Sequence, residues 1–149
     1  MNLDILTNLS AAQVVTGNAN STNAYDAADT QGMLTGIGEP MECVIMVAAA
    51  TMNSATCTAV LYADDDNNGT NKTTIGQVII PSTTTTSSKY IIDIPGSDDA
   101  NNVNARPSNR YYYLTYTFAG TSITLNAWLQ PDDMVQNDHV YPKSGYTVK

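Results

Sequence analysis

The fold of this chain is decided by the stretch Arg110-Tyr111-Tyr112-Tyr113-Leu114-Thr115-Tyr116-Thr117-Phe118, which Ala119-Gly120-Thr121 separates from a second run, residues 122–129. Aromatic and β-branched residues suit a pleated, half-buried surface, so both runs predict β-strands. Because the Ala-Gly pair is able to turn the chain, we expect the two strands to pair as a hairpin. The C-terminal third is therefore the best-defined part of a predicted all-β domain.

Six further segments have the length and composition of short strands, and turn-rich stretches separate them. One of them, residues 41–50, is almost continuously apolar, which is typical of a strand covered on both faces or lying at the centre of a sandwich. Short strands at this spacing predict an antiparallel sandwich or barrel of about eight strands. The six segments are residues 12–16, 22–25, 41–50, 56–63, 73–80 and 89–94.

We expect one domain with an extended segment at each end. The 149 residues suffice for a compact core, so the fold does not need disulfides. Residues 1–12 show no convincing period and predict an N-terminal arm, and residues 13–130 form the β-sandwich. Residues 131–149 are an irregular C-terminal tail, which either wraps a neighbouring molecule or packs on its own domain.

The charge balance argues against nucleic acid as a partner. The chain carries a formal net charge of −8 and only six Lys and Arg residues, whereas phosphate binding relies on clustered cations. The N-terminus lacks a basic region followed by an apolar one, so we expect no secretory signal and synthesis in a cytoplasm. The longest apolar stretch, residues 44–52, is about half of the roughly 20 residues that a membrane-spanning helix requires, so we expect no membrane contact.

The two cysteines are expected to be reduced core residues. Cys43 and Cys57 lie on two predicted strands, at a spacing that matches neither a zinc pattern nor a redox motif. A reducing cytosol opposes a bridge between them, and free cysteine behaves as a small apolar residue.

A partial calcium-binding pattern stands in the middle of the chain. Asp64, Asp66, Asn68 and Gly69 match the first half of an EF-hand loop. The second half fails, because Ile75 occupies the position of the bidentate Glu. An acidic, solvated hairpin tip explains the same residues, so we assign no metal ligand and leave a weak cation site open.

No recognisable catalytic motif is present in the sequence. The only imidazole, His139, has Asp138 beside it, but neighbours on an extended segment point to opposite sides. No serine has the Gly-x-Ser-x-Gly context, and no glycine-rich loop joins a strand to a helix. We therefore expect a protein that is not an enzyme and needs no cofactor.

The nine tyrosines allow two interpretations. Tyr111 and Tyr113 lie on one side of their predicted strand, and Tyr112 and Tyr116 lie on the other. One side must be core. The other is either a subunit interface or ordinary surface, or else a platform for carbohydrate, since Tyr presents an apolar face with a polar tip.

Five stretches, in an order and spacing that span nearly the whole chain, resemble the Bbp16-type capsid cement (head decoration) proteins of tailed bacteriophages. They are Ser10-Ala11-Ala12-Gln13-Val14-Val15-Thr16, Ser21-Thr22-Asn23-Ala24-Tyr25-Asp26, Gly36-Ile37-Gly38-Glu39-Pro40-Met41, residues 110–116 with Ala119-Gly120-Thr121, and Tyr141-Pro142-Lys143-Ser144-Gly145-Tyr146.

The resemblance implies a jellyroll domain on the outer surface of an HK97-type virion shell, where it bridges neighbouring major capsid protein subunits. It also implies a small homo-oligomer, for which we expect a homodimer in preference to a homotrimer. The alternative is a carbohydrate-binding jellyroll module of a virion adhesin. We place the capsid or subunit contacts on the arm and the tail, at Leu3, Ile5, Leu6, Leu9, Val140, Tyr141 and Tyr146.

Overall fold

The computed structural model describes residues 8–26, 41–64, 69–94 and 111–131. Within these ranges the protein is all-β, as the sequence predicts, with nine strands and no helix. The predicted strands at 73–80 and 89–94 are confirmed without change, and those at 41–50 and 56–63 shift by no more than one residue at either end. The strands are β1 (Asn8–Val15), β2 (Ala19–Asn20), β3 (Tyr25–Asp26), β4 (Met41–Thr51), β5 (Cys57–Asp64), β6 (Thr73–Ile80), β7 (Lys89–Ile94), β8 (Tyr111–Phe118) and β9 (Ser122–Pro131).

Two antiparallel sheets pack together as a β-sandwich. The first sheet has the strand order β1-β9-β4-β7, and the second has the order β2-β8-β5-β6, with β3 also paired to β8. The pairing is nested: β5 pairs with β6, β4 with β7, β2 and β3 with β8, and β1 with β9. The first described strand therefore lies beside the last one.

One continuous core fills the space between the sheets. Alternate residues of each strand point inward, so β8 from the second sheet and β9 from the first line the same core. Their inward residues are almost fully buried. They are Tyr112, Leu114, Tyr116 and Phe118 from β8, and Ile123, Leu125, Ala127 and Leu129 from β9.

The predicted hairpin between residues 110–118 and 122–129 is wrong. Strands β8 and β9 lie in different sheets, so residues 119–121 carry the chain from one sheet to the other. Each strand has an apolar face, and placing the two faces on opposite sides of one core buries both. At Gly120 a Cβ atom would lie 2.6 Å from the carbonyl oxygen of Met52 and against the ring of Phe118, so the crossing leaves no room for a side chain.

Strand β1 runs along the edge of the first sheet and is irregular. Its register with β9 shifts between Asn8 and Ser10 and again before Gln13. Within this bulge Ala12 has a positive φ of 46°, and its amide donates a hydrogen bond to Asn126 Oδ1 at 2.7 Å. As a consequence, the consecutive residues Leu9 and Ser10 are both buried.

A hydrogen-bond network that starts at the buried Ser10 joins the two sheets. The Ser10 hydroxyl donates to Gln13 Oε1 at 2.7 Å and lies 2.8 Å from the hydroxyl of Tyr116. Because a serine hydroxyl has one proton, Tyr116 is the donor in the second bond. Gln13 also accepts from the Thr22 amide at 3.1 Å and donates to the carbonyl of Asn20 at 2.7 Å. The network therefore connects β1 with β8 and with the segment that follows β2.

We expect Gly120→Ala to lower the free energy of unfolding by about 1–3 kcal/mol, because the new methyl group must displace the backbone at Met52. The matched control is Gly17→Ala, where a Cβ atom meets nothing within 4 Å. The control should change stability by no more than about 0.5 kcal/mol. Urea denaturation followed by tryptophan fluorescence measures both, and equal effects would show that residues 119–121 do not need the close approach.

Removing the partners of the Ser10–Tyr116 hydrogen bond should give non-additive effects. Ser10→Ala leaves the buried Tyr116 hydroxyl without its acceptor, which costs about 1–3 kcal/mol. Tyr116→Phe costs less, because Ser10 keeps its bond to Gln13. In a double-mutant cycle the combined variant should be destabilised by less than the sum of the two single changes. Strict additivity would contradict the network.

Candidate functional site

The long connections of the second sheet leave the sandwich at one end. Asp26 closes β3 and Asp64 closes β5, and both are paired with Tyr111, the first residue of β8. Beside them, Thr73 opens β6 next to Ala63. Residues 27–40, 65–72 and 95–110 therefore all connect to the second sheet at this end.

The first sheet repeats this arrangement. Met41, which opens β4, is paired with Pro131 at the close of β9 and with Ile94 at the close of β7. Asn8, which opens β1, is paired with Trp128. The segments before β1 and after β9 therefore join the sandwich at the same end as the connections between strands.

The two ends of the sandwich differ in the length of chain attached to them. We name the end just described the long-connection end. At the opposite, short-connection end the chain crosses between the sheets in connections of three to eight residues, as where Gly120 meets Met52. The connections at the short-connection end are residues 16–18, 52–56, 81–88 and 119–121.

The structure corrects one of the predicted contact residues. Leu9 lies in β1 and is fully buried in the core, since pairing of Asn8 with Trp128 already places this part of the chain in the first sheet. It stabilises the domain and is not available to a shell. The predicted arm, residues 1–12, accordingly overlaps β1 from residue 8 onward. The other predicted contacts, Leu3, Ile5, Leu6, Val140, Tyr141 and Tyr146, lie outside the described residues.

The acidic segment that starts at the last residue of β5 begins with a buried carboxylate. Asp64 is fully buried, and its Oδ2 accepts a hydrogen bond of 2.7 Å from the amide of Gly69. Gly69 has a φ of 78°, which favours glycine. Asp64 is thus not the solvated residue that an acidic hairpin tip implies. Asp66 and Asn68 of the calcium-like pattern lie outside the described residues.

A polar cleft of about 520 Å³ lies on the outer face of the second sheet. Tyr113 and Thr115 of β8 line it, together with Lys72 and the segment of residues 20–24. Asn20 is held in place because its Oδ1 accepts from the Thr115 hydroxyl at 3.1 Å. The lining offers amide, hydroxyl and ammonium groups, which suit a small polar ligand.

The tyrosines of β8 divide between the two faces as predicted, but they offer no open platform at the cleft. Tyr112 and Tyr116 lie in the core. Tyr113 faces outward yet is only 9% exposed, with its ring centroid 5.9 Å from that of Tyr62. Lys72 Nζ covers the Tyr62 ring at 4.6 Å. The aromatic faces therefore contact one another and a cation, and the cleft presents polar groups instead.

Trp128, for which the sequence predicts no role, lies in a small apolar cluster outside the main core. It is 6% exposed on the outer face of the first sheet, and it packs with Val44 and Met46. Its Nε1 donates to Gln130 Oε1 at 2.6 Å. The alternation of the strand could have predicted this position, because Trp128 lies between the inward residues Ala127 and Leu129 and must therefore point outward.

The core thiols are unsuited to nucleophilic chemistry. Cys43 and Cys57 are free and buried, as predicted. Burial raises the pKa of Cys57 to about 11 and raises the pKa of Cys43 further above its ordinary value. Burial likewise raises the pKa of Tyr116 beyond its usual range. All three groups stay protonated near neutral pH, and the thiolate is the reactive form of cysteine.

Stability should decrease as the pH rises above about 8.5, because the unfolded chain releases thiol protons that the folded chain retains. The loss approaches about 1.4 kcal/mol per pH unit for each such group. Urea denaturation at several pH values under reducing conditions measures it. Cys43→Ala should be less stable than wild type at pH 7. Its free energy of unfolding should fall less steeply with rising pH, because the variant lacks the thiol proton that folded wild type retains at Cys43. Equal slopes for the two proteins would exclude Cys43 as a source of the effect.

Within the described ranges, no group of three or more His, Cys, Asp or Glu side chains is placed to bind a metal ion. No helix in that part of the chain has the length and hydropathy that a membrane crossing requires. No protein-family model matches the sequence, and a search of curated proteins finds no significant relative.

Proposed function

We propose that this protein is a capsid cement protein, which binds the outer surface of an HK97-type shell and bridges neighbouring major capsid protein subunits. The sequence resemblance motivates the proposal. The observation that carries it is the attachment of both terminal segments at the long-connection end, where Asn8 pairs with Trp128 and Met41 pairs with Pro131. Residues 1–7 and 132–149 thus start from one end of the same β-sandwich.

This arrangement suits a molecule that reaches across a seam. Two segments that start close together can contact two adjacent subunits, and the second contact then forms at high effective concentration. Each contact needs only modest affinity, since many copies act on one shell. Leu9 contributes by fixing the start of the arm in the core, so that residues 1–7 leave from a defined position.

We also propose that the sandwich is a jellyroll. The support is the nested pairing of β1 with β9, of β2 and β3 with β8, of β4 with β7, and of β5 with β6. If β2 and β3 are taken as one interrupted strand, this is an eight-strand ribbon folded over into two sheets. Jellyrolls occur in viral capsid proteins and in lectins, so the fold agrees with either candidate function and selects neither.

Two truncations test the role of the terminal segments. One variant starts at Asn8 after an initiating Met, and the other ends at Pro131. Both keep β1 and β9 whole, so both should unfold near the wild-type midpoint. Cosedimentation with shells stripped of their decoration should show binding at least about tenfold weaker for each, because loss of one contact removes the gain from multivalency.

The matched control carries a change at the other end of the sandwich. Thr86→Lys alters an exposed residue of the short-connection end and should bind shells like wild type. A truncated protein that decorates shells normally would remove that segment from the mechanism. Failure of the folded wild-type protein to bind any shell would overturn the cement proposal.

The polar cleft favours one second candidate, a carbohydrate-binding module. Its volume and its lining by Asn20, Lys72 and Thr115 suit one or two sugar units. In that case the folded protein should not bind shells but should bind sugars saturably. Addition of sugar should change NMR chemical shifts only at the residues that line the cleft. Shell binding without any response to a sugar panel would discard this candidate.

A further inference from the structure

We propose that the free edge of β6 is a self-association surface, where a second copy of this chain adds its own β6 in antiparallel orientation. Strand β6 ends the second sheet, and among the described residues only β5 pairs with it. A strand edge presents unpaired backbone N–H and C=O groups, which a second strand satisfies directly. The inference does not depend on the cement proposal.

The edges of the first sheet carry features that block pairing. Strand β1 has two register shifts and the positive φ of Ala12, so little of it is regular. Strand β7 carries Lys89 and Asp93, and charges on an edge oppose the approach of another strand. Neither edge offers a long, uncharged template.

The edges of the second sheet differ from each other. On one side β2 and β3 have two residues each, too few to pair with another chain. On the other side β6 has eight residues and no charged one. A register shift near Ile75 interrupts its start, which leaves the regular run of residues 76–80. This run is the best pairing template among the described edges.

The side chains around this run favour a second copy over a charged partner. Residues 57–61 of β5, which pair with it, are uncharged as well. Two copies therefore meet here without opposing like charges, although each carries a net charge of −8. Ile79 is 57% exposed on the outer face beside Thr58, and pairing would bury it.

A two-fold arrangement centred on Val78 satisfies the alternation of the strand. Ile79 of each copy then lies opposite Gln77 of the other, and both point outward. The two five-stranded sheets become one continuous sheet. Because a strand has one free edge, the assembly closes at two copies, which is the isologous form of a dimer.

Sedimentation equilibrium of the full chain over a wide concentration range tests the proposal. Wild type should show a monomer–dimer equilibrium. Ile79→Lys should raise the dimer dissociation constant at least about tenfold, because it removes apolar burial and places two cations diagonally across the new strand pair, roughly 7–8 Å apart. Hydrogen exchange gives a second readout: amides of residues 76–80 should be more protected at high protein concentration.

Two other exposed residues provide matched controls for the same chemical change. Ile91→Lys alters β7, where the side chain is 37% exposed, and Val14→Lys alters β1, where it is 61% exposed. Both variants should dimerise like wild type. The proposal would be overturned if wild type stays monomeric or forms trimers, or if the Ile79→Lys variant dimerises as well as wild type. It would also be overturned if either control variant dimerises more weakly than wild type.

Discussion

Burial of the apolar face of β8 against that of β9 is the constraint on which the rest of the structure depends. The two strands follow one another in the sequence, and each has one face of large apolar residues. A hairpin would set these faces side by side in one sheet. Crossing to the other sheet turns them toward a shared core, where each fully buried large side chain contributes about 1.5–3 kcal/mol. Gly120 permits the crossing because it lets the chain pass close to Met52.

The crossing determines which strands become neighbours. Since β8 and β9 lie in different sheets, β8 pairs with β5 and β9 pairs with β4. The earlier strands then fall into nested pairs, which bring the start of the described chain beside its close. The gathering of long connections at one end is a consequence of this order. The free edge of β6 is another, because β5 can pair with only two strands and β8 takes its other side.

Polar residues at the β1 edge have a structural role that their position in the sequence does not suggest. Ser10 and Gln13 link β1 to β8, and Ser21 binds β8 through both its amide and its hydroxyl, at 2.7 Å and 3.0 Å from Leu114. Asn23 joins the same segment to the carbonyl of Leu9 at 2.9 Å. Two of the stretches that carry the family resemblance contain these residues. Their polarity is therefore explained by closure of the sandwich.

The sequence by itself determined the β class and the six strands from residue 41 onward, because strand formation depends on local composition and on the alternation of apolar residues. The strands predicted at 12–16 and 22–25 do not match β1, β2 and β3. Residues 73–80 and 89–94 were predicted to the residue, and the burial of Cys43 and Cys57 was expected because free cysteine behaves as a small apolar residue. Pairing depends on contacts between residues far apart in the chain, so only the tertiary structure decided that β8 and β9 lie in different sheets. The same reason explains Leu9: its apolar side chain suited an arm as well as a strand, and pairing of Asn8 with Trp128, at the other end of the described chain, placed it in the core.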